Sequence, residues 1–366
     1  MNTERLHSLI RLFIEANKKH NFIHLLQGVE TTYTQSIQSP SPENAQAFDN
    51  ARNALREAAL EFPIGSLSPS RRKLLEAIGG TFYYGENLSQ RIDDIIKSAE
   101  TPSNTLVEIQ ELRTKMKAFF PTVQALDDSL TKLGVGVEDI PQDSAEIEVL
   151  IPESMVDGHL NGFIKETNYL DRVFSDIREV VTGERTALDI RSLGSGSVEL
   201  YLTVDLATGV YVLHCVTAVV LLINTILQSR RDRESLKKQD APDKIIRDLK
   251  TWENKRIEER IDKLRDELLG KYKGTEERKN ELRNALSMSL KRLADRIDRG
   301  MDIDVTTAAT AEQKEGEESA VDPKQIKIQQ GYIESIRKAA NTISQLERGQ
   351  EPVLKLPVTD DESESS

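Results

Sequence analysis

Residues 188–231, LDIRSLGSGSVELYLTVDLATGVYVLHCVTAVVLLINTILQSRR, join two different hydrophobic periods without a linker. Leu188 and Ile190 begin one extended run. Val198, Leu200, Leu202 and Val204 then alternate with Glu199, Tyr201 and Thr203, the period of two that a strand with one buried face requires. Gly194-Ser195-Gly196-Ser197 between the runs supplies turn conformations, so the pair reads as a β-hairpin. From Leu206 to Leu227 no residue is charged, and charge returns at Arg230, Arg231 and Arg233. This predicts a long apolar helix directly after the hairpin.

That helix admits two readings. At ~1.5 Å per residue it spans about 33 Å, enough for a hydrocarbon core of ~30 Å. It also carries one polar stripe, His214, Thr217, Asn224, Thr225 and Gln228, which a core helix turns to water or to neighbouring helices and a membrane bundle turns to a pore or sister helix. The core reading is preferred. The hairpin leaves almost no linker, and a positive-inside orientation would carry residues 1–205 across the bilayer without a signal.

Working outward, Ile147, Val149 and Ile151 alternate with Glu146, Glu148 and Leu150 until Pro152, which predicts a strand. Helical spacing follows from Ser154 to Val181. Beyond the apolar helix, Pro242 precedes a charged amphipathic helix using Ile245, Leu249, Trp252, Ile257, Ile261, Leu264 and Leu268. A second runs from Thr275 to Arg299 and ends at Gly300. Such helices suit coiled-coil-like pairing. Met301, Ile303 and Val305 alternate with Asp302 and Asp304 as a short last strand, although two of those five residues are charged. With the helical insertion near 241–299 set aside, the order is that of a ferredoxin-like split β-α-β unit, with a simpler βαββα arrangement as the alternative.

The expected class is therefore α+β and mostly helical. Residues 1–140 form an N-terminal helical domain, marked by helical spacing and by breaks at Ser39-Pro40-Ser41-Pro42, Ser68-Pro69 and Gly79-Gly80, with Pro121 expected to kink or restart its last helix. Residues 146–306 form the α/β domain. Residues 307–325 lack periodicity and read as a flexible linker, 326–348 as a separate amphipathic helix, and 349–366 as a disordered acidic tail. No internal repeat is visible.

Composition narrows the function. The chain has 366 residues, 49 Lys plus Arg against 61 Asp plus Glu, and a formal charge of −12, which disfavours general nucleic-acid binding. Aromatic residues make up 5% with one tryptophan, too few for a base-stacking or carbohydrate platform. Cys215 is the single cysteine, so an intramolecular disulfide and a cysteine metal cluster are excluded and a reducing, cytoplasmic compartment is the default. The N-terminal stretch has no uninterrupted apolar region of a secretory leader.

Candidate chemistry is sparse. His20 and His24 stand four apart, the spacing of two zinc ligands on one helix, but no third ligand and no HExxH pattern accompany them. His7 and His159 are isolated. Asp189 and Glu199 on the two hairpin strands make a conceivable divalent-metal pair of a metal-dependent hydrolase. A nuclease-type D-(x)n-E-x-K pattern would place lysine where Tyr201 stands, and surface carboxylates on a half-exposed sheet are the simpler reading. Gly194–Ser197 leads into a strand and Gly270–Thr275 lacks the Walker lysine, so neither is a phosphate loop. The basic residues of 278–299 interleave with acids, as on a solvated helix with intrahelical pairs. Gly80-Thr81-Phe82-Tyr83-Tyr84-Gly85 is read as an interhelical packing plug rather than a recognition loop.

No catalytic residue, cofactor, metal or small-molecule substrate is assigned. The expected function is a non-enzymatic interaction or regulatory protein, cytoplasmic, acting through self-association or docking to a protein partner. Its expected interface residues are Ile333, Ile336 and Ile343 of the C-terminal helix with Trp252, Ile257 and Leu264. The alternative is a membrane-active effector that inserts helix 206–227.

Overall fold

The computed structural model describes residues 3–62, 67–98, 101–138, 140–141, 143–194, 198–239, 242–307, 331–332, 335 and 352–354. The chain divides into two compact units, Met1–Asp139 and Ile140–Ser366, and is a mostly helical α+β protein.

The first unit holds α1 (Thr3–His20), α2 (Phe22–Gln38), α3 (Pro42–Leu60), α4 (Pro69–Ala77), α5 (Gly85–Ser98) and α6 (Pro102–Lys132). Three helix starts share one device: Ser41, Ser68 and Thr101 each accept the N–H three residues on, and each is followed by proline at the first helical position. Helix α6 runs on through Pro121 rather than restarting there. Tyr84 sits at the centre of the core, with its ring 4.5 Å from Phe13, 4.9 Å from Phe62, 5.5 Å from Phe22 and 5.7 Å from Phe120. Its hydroxyl donates to the Phe13 carbonyl at 3.3 Å, and burial holds it protonated above the usual tyrosine range. Gly80–Gly85 is thus a packing plug in which only Phe82 of the three aromatics is exposed. Buried Glu138 accepts from both Arg5 and Arg71 at 2.7 Å, pinning the end of the unit to α1 and α4.

The second unit holds β1 (Ser144–Ile151), α7 (Glu153–Val156), α8 (Leu160–Thr182), β2 (Asp189–Gly194), β3 (Val198–Asp205), α9 (Leu206–Lys238), α10 (Asp243–Leu269), α11 (Glu276–Asp298) and β4 (Asp302–Thr307). The strands lie in the order β2-β3-β1-β4 and every neighbour is antiparallel. Strands β1 and β2, joined through α8, flank β3, which is the split β-α-β arrangement. The run 302–307, with two aspartates among its six residues, is a true strand, because Ile303 and Val305 stand opposite Val149 and Ile147 on the apolar face.

Helix α9 lies on that face. Gly209 makes the close approach possible: a Cβ there would come within 2.7 Å of the Ala145 Cβ and 3.2 Å of Val305 Cγ1. Leu170, Val173, Phe174 and Ile177 of α8, Ile257, Ile261, Leu264 and Leu268 of α10, and Leu282, Leu286, Leu290 and Leu293 of α11 complete one continuous core. Charged pairs tie α8 to α11. Glu179 accepts from Arg278 Nε and Nη2 at 2.7 and 2.8 Å, and Glu166 from Arg296 at 3.0 and 3.2 Å, with the Arg296 guanidinium 4.9 Å above the Tyr169 ring. The basic residues of α11 therefore do more than the expected intrahelical pairing, since Arg278 and Arg296 reach across to a second helix.

The opposite sheet face differs from the expected exposed alternation. One row crosses all four strands, Ser192, Tyr201, Glu148 and Asp304. Glu148 is 1% exposed, and Glu146, Tyr201 and Asp304 are also buried. Arg191 Nη1 lies 3.5 Å from Glu146 Oε2.

Gly209→Val forces α9 off the sheet and lowers stability by about 1–3 kcal/mol or more. Gly28→Ala, in α2 with open space around the added methyl, raises it by about 0.5–1 kcal/mol in the same thermal or urea unfolding series. The Arg278 hydrogen bonds hold the Glu179 carboxyl below its ordinary pKa, so this ion pair stabilises the fold above that range and stops doing so as pH falls through the lowered value. Glu179→Gln accordingly loses about 1 kcal/mol at neutral pH, a figure discounted for the partly exposed arginine, and the gap to the unaltered chain closes as acidification protonates the Glu179 carboxylate.

Candidate functional site

The uncharged half of α9 is the natural place to begin, because its apolar side decides between core and membrane. Helix α9 is, among the described residues, the one helix long and apolar enough to cross a bilayer. Two thirds of its apolar window is buried inside the protein. Val212, Leu213, Cys215, Val216, Val219, Val220, Ile223 and Ile226 all enter the core.

The polar stripe points away from that core. His214 and Thr225 are exposed, and Thr217 and Asn224 are half-buried. Three of the four satisfy themselves on their own helix: Thr217 donates to the Leu213 carbonyl at 2.7 Å, Asn224 to Val220 at 3.0 Å and Thr225 to Leu221 at 2.8 Å. His214 instead faces α10, with Nε2 3.3 Å from Glu267 Oε2. Here α9 and the end of α10 border an open cavity of about 650 Å³, lined by Tyr211, His214 and Thr217, by Asp266, Glu267 and Lys271, and by Ser335. Ser335 therefore lies on this side of the unit, and Tyr332 packs against the same core.

A second return point lies at the other end of the apolar stretch. Val353 and Leu354 are buried in the core, and both their N–H groups donate to Asp298 Oδ2 at the end of α11. The span 349–366, read from sequence as an acidic disordered tail, thus contains a docked aliphatic pair. Burial raises the Asp298 carboxyl, while these two backbone N–H groups and the Arg230 charge pull it back.

Beyond Arg230 the α9–α10 hairpin continues as an arm with little core of its own. Buried Glu253 accepts from Ser229 at 3.0 Å and from Arg233 at 2.8 Å, which locks the two helices together. Past this lock Leu236, Ile246 and Leu249 are half-buried, and Ile245 and Trp252 are each 45% exposed. Ile245 and Trp252 stand seven residues apart, two helical turns along one stripe, with Leu249 between them.

The expected interface residues thus separate. Ile257 and Leu264 are buried in the unit's own core, while Trp252 remains on the surface. Ile333, Ile336 and Ile343 lie outside the described residues. Ile245 was legible only as part of the amphipathic stripe, and nothing in its type or spacing distinguished it from the buried positions.

The weaker sequence candidates do not assemble. Asn21, at φ 49°, separates α1 from α2, so His20 and His24 fall on different helices. Asp189 stands opposite Thr203 and Glu199 opposite Gly194, which at ~3.3 Å per residue puts the two carboxylates about 13 Å apart along the strand. Glu199 is held by the Tyr201 hydroxyl at 3.0 Å. Among the described residues no group of three or more His, Cys, Asp or Glu side chains is placed to hold a metal ion.

Burial pushes the Cys215 thiol up to about 12. A thiol reagent at pH 8 should label the native chain at a small fraction of its rate in denaturant, with mass spectrometry following the adduct; equal rates would place α9 differently. Comparison with known protein families, with curated proteins and with solved structures finds no match, so the reading of this surface rests on its own residues.

Proposed function

We propose that this chain is a non-enzymatic cytoplasmic interaction or regulatory protein, acting through self-association or docking to a protein partner, with the α9–α10 arm as its docking element. The observation that carries this is the exposed pair Ile245 and Trp252 on one stripe of α10, beyond the point where the other apolar residues of that helix turn into the core. A half-exposed tryptophan beside an aliphatic neighbour on a rigid helix is the kind of anchor that protein interfaces desolvate. Its setting adds charge to that contact. Lys244, Arg247, Lys250, Lys255 and Arg256 outnumber the exposed Asp243 and Asp248 around the stripe in a chain whose net charge is −12, so an acidic surface, a second copy included, is attracted to it.

Trp252 is the only tryptophan, so its fluorescence reports the proposed contact directly. Across a dilution series of about 1–100 μM, spanning typical weak self-association, the emission should shift to the blue in step with the rise in sedimentation mass. Ile245→Asp should weaken association at least tenfold, on the order of the loss of one interface anchor. A rise in mass without an emission shift would assign association to another surface. Constant mass over the whole range would reject self-association through this one.

A further inference from the structure

The Pro352–Leu354 segment meets the second unit in a manner that reads backbone as well as side chains. Val353 and Leu354 are 1% and 4% exposed and belong to the main core. Their N–H groups converge on one oxygen, Asp298 Oδ2, at 2.6 and 2.5 Å, and Arg230 Nη2 donates to the Val353 carbonyl. Among the described residues the Asp298 carboxylate makes no other hydrogen bond, and the buried Arg230 Nε has no acceptor. Among the described residues, the carboxylate at the end of α11 and the guanidinium of α9 therefore hydrogen-bond to this segment alone.

We propose that Asp298 and Arg230 form a peptide-binding clasp whose ligand is a short segment with two adjacent aliphatic side chains, and that Pro352-Val353-Leu354 occupies it as a tethered ligand that also binds in trans. The recognition is that of other peptide sites, in which main-chain hydrogen bonds give affinity and apolar pockets select side chains. An anion takes two consecutive N–H groups, a cation takes the carbonyl between them, and the core takes the valine and leucine. Tethering holds the segment at an effective concentration on the order of millimolar, so a free peptide of modest affinity does not displace it from the unaltered chain.

The test empties the clasp in the full-length chain by Val353→Asp with Leu354→Asp. Its melting temperature should fall by about 3–8 °C, and a synthetic peptide of residues 350–357 should restore it in a saturable way, with a Kd of roughly 10–100 μM. The same peptide with aspartate at both aliphatic positions should do nothing, and the natural peptide should leave the unaltered chain unchanged. An unchanged melting temperature in the double variant, or a folded double variant that binds no peptide, overturns the proposal. Should the double variant lack native circular dichroism, amide exchange decides on the other chains. The Val353 and Leu354 amides should be protected in the unaltered chain, and Asp298→Asn should strip protection from those two while β1 keeps its own. Free exchange of both amides in the unaltered chain overturns the clasp.

Discussion

The seating of α9 on the sheet is the constraint on which the second unit depends. A 33-residue helix, uncharged over its first two thirds, can be soluble only if its apolar side is covered. The sheet does so at close range because position 209 has no side chain. Helices α8, α10 and α11 then pack on what α9 leaves open, and Leu170, Ile261 and Leu290 share one core through it. The Asp205 cap, which accepts the Thr208 N–H at 2.8 Å, turns strand directly into helix. No residue intervenes between the two, so the direction of β3 fixes that of α9.

Much of this architecture was legible in the residues because local and global signals agree. Period two in 198–204, the glycine-serine turn and the uncharged run after Leu206 fixed the hairpin, the helix and their adjacency. The strand order followed from element order. What escaped the sequence depends on long-range placement. Charge in 302–305 argued against a strand, yet Asp304 occupies a buried row with Glu148 and Tyr201. Pattern gives the side of a strand on which a residue falls, and says nothing of what lies over that side.

The candidate surface was less legible for the same reason. Ile245, Trp252, Ile257 and Leu264 share an amphipathic pattern, but only the later part of it enters the core, and the divide comes at the Ser229–Glu253–Arg233 lock. That lock uses polar residues whose partner lies in another helix, so one-dimensional spacing could not reveal it. The Val353–Leu354 docking was hidden by its neighbours, since the acidic composition of the following residues dominates any window that contains it.

The strand order has a consequence for how the chain is made. Strand β1 ends at Ile151 and its outer neighbour β4 begins at Asp302, so about 150 residues separate the two sides of one edge. At ribosomal rates of ~5–20 residues per second, β1 waits about 10–30 s after its own emergence before that edge is covered. Its inner edge closes much sooner, with the hairpin. During this interval the nascent sheet presents a free row of backbone groups, the usual template for pairing between chains. Glu146 and Glu148 alternate with the aliphatic residues of that strand, and charged side chains on an uncovered strand disfavour its pairing with another chain.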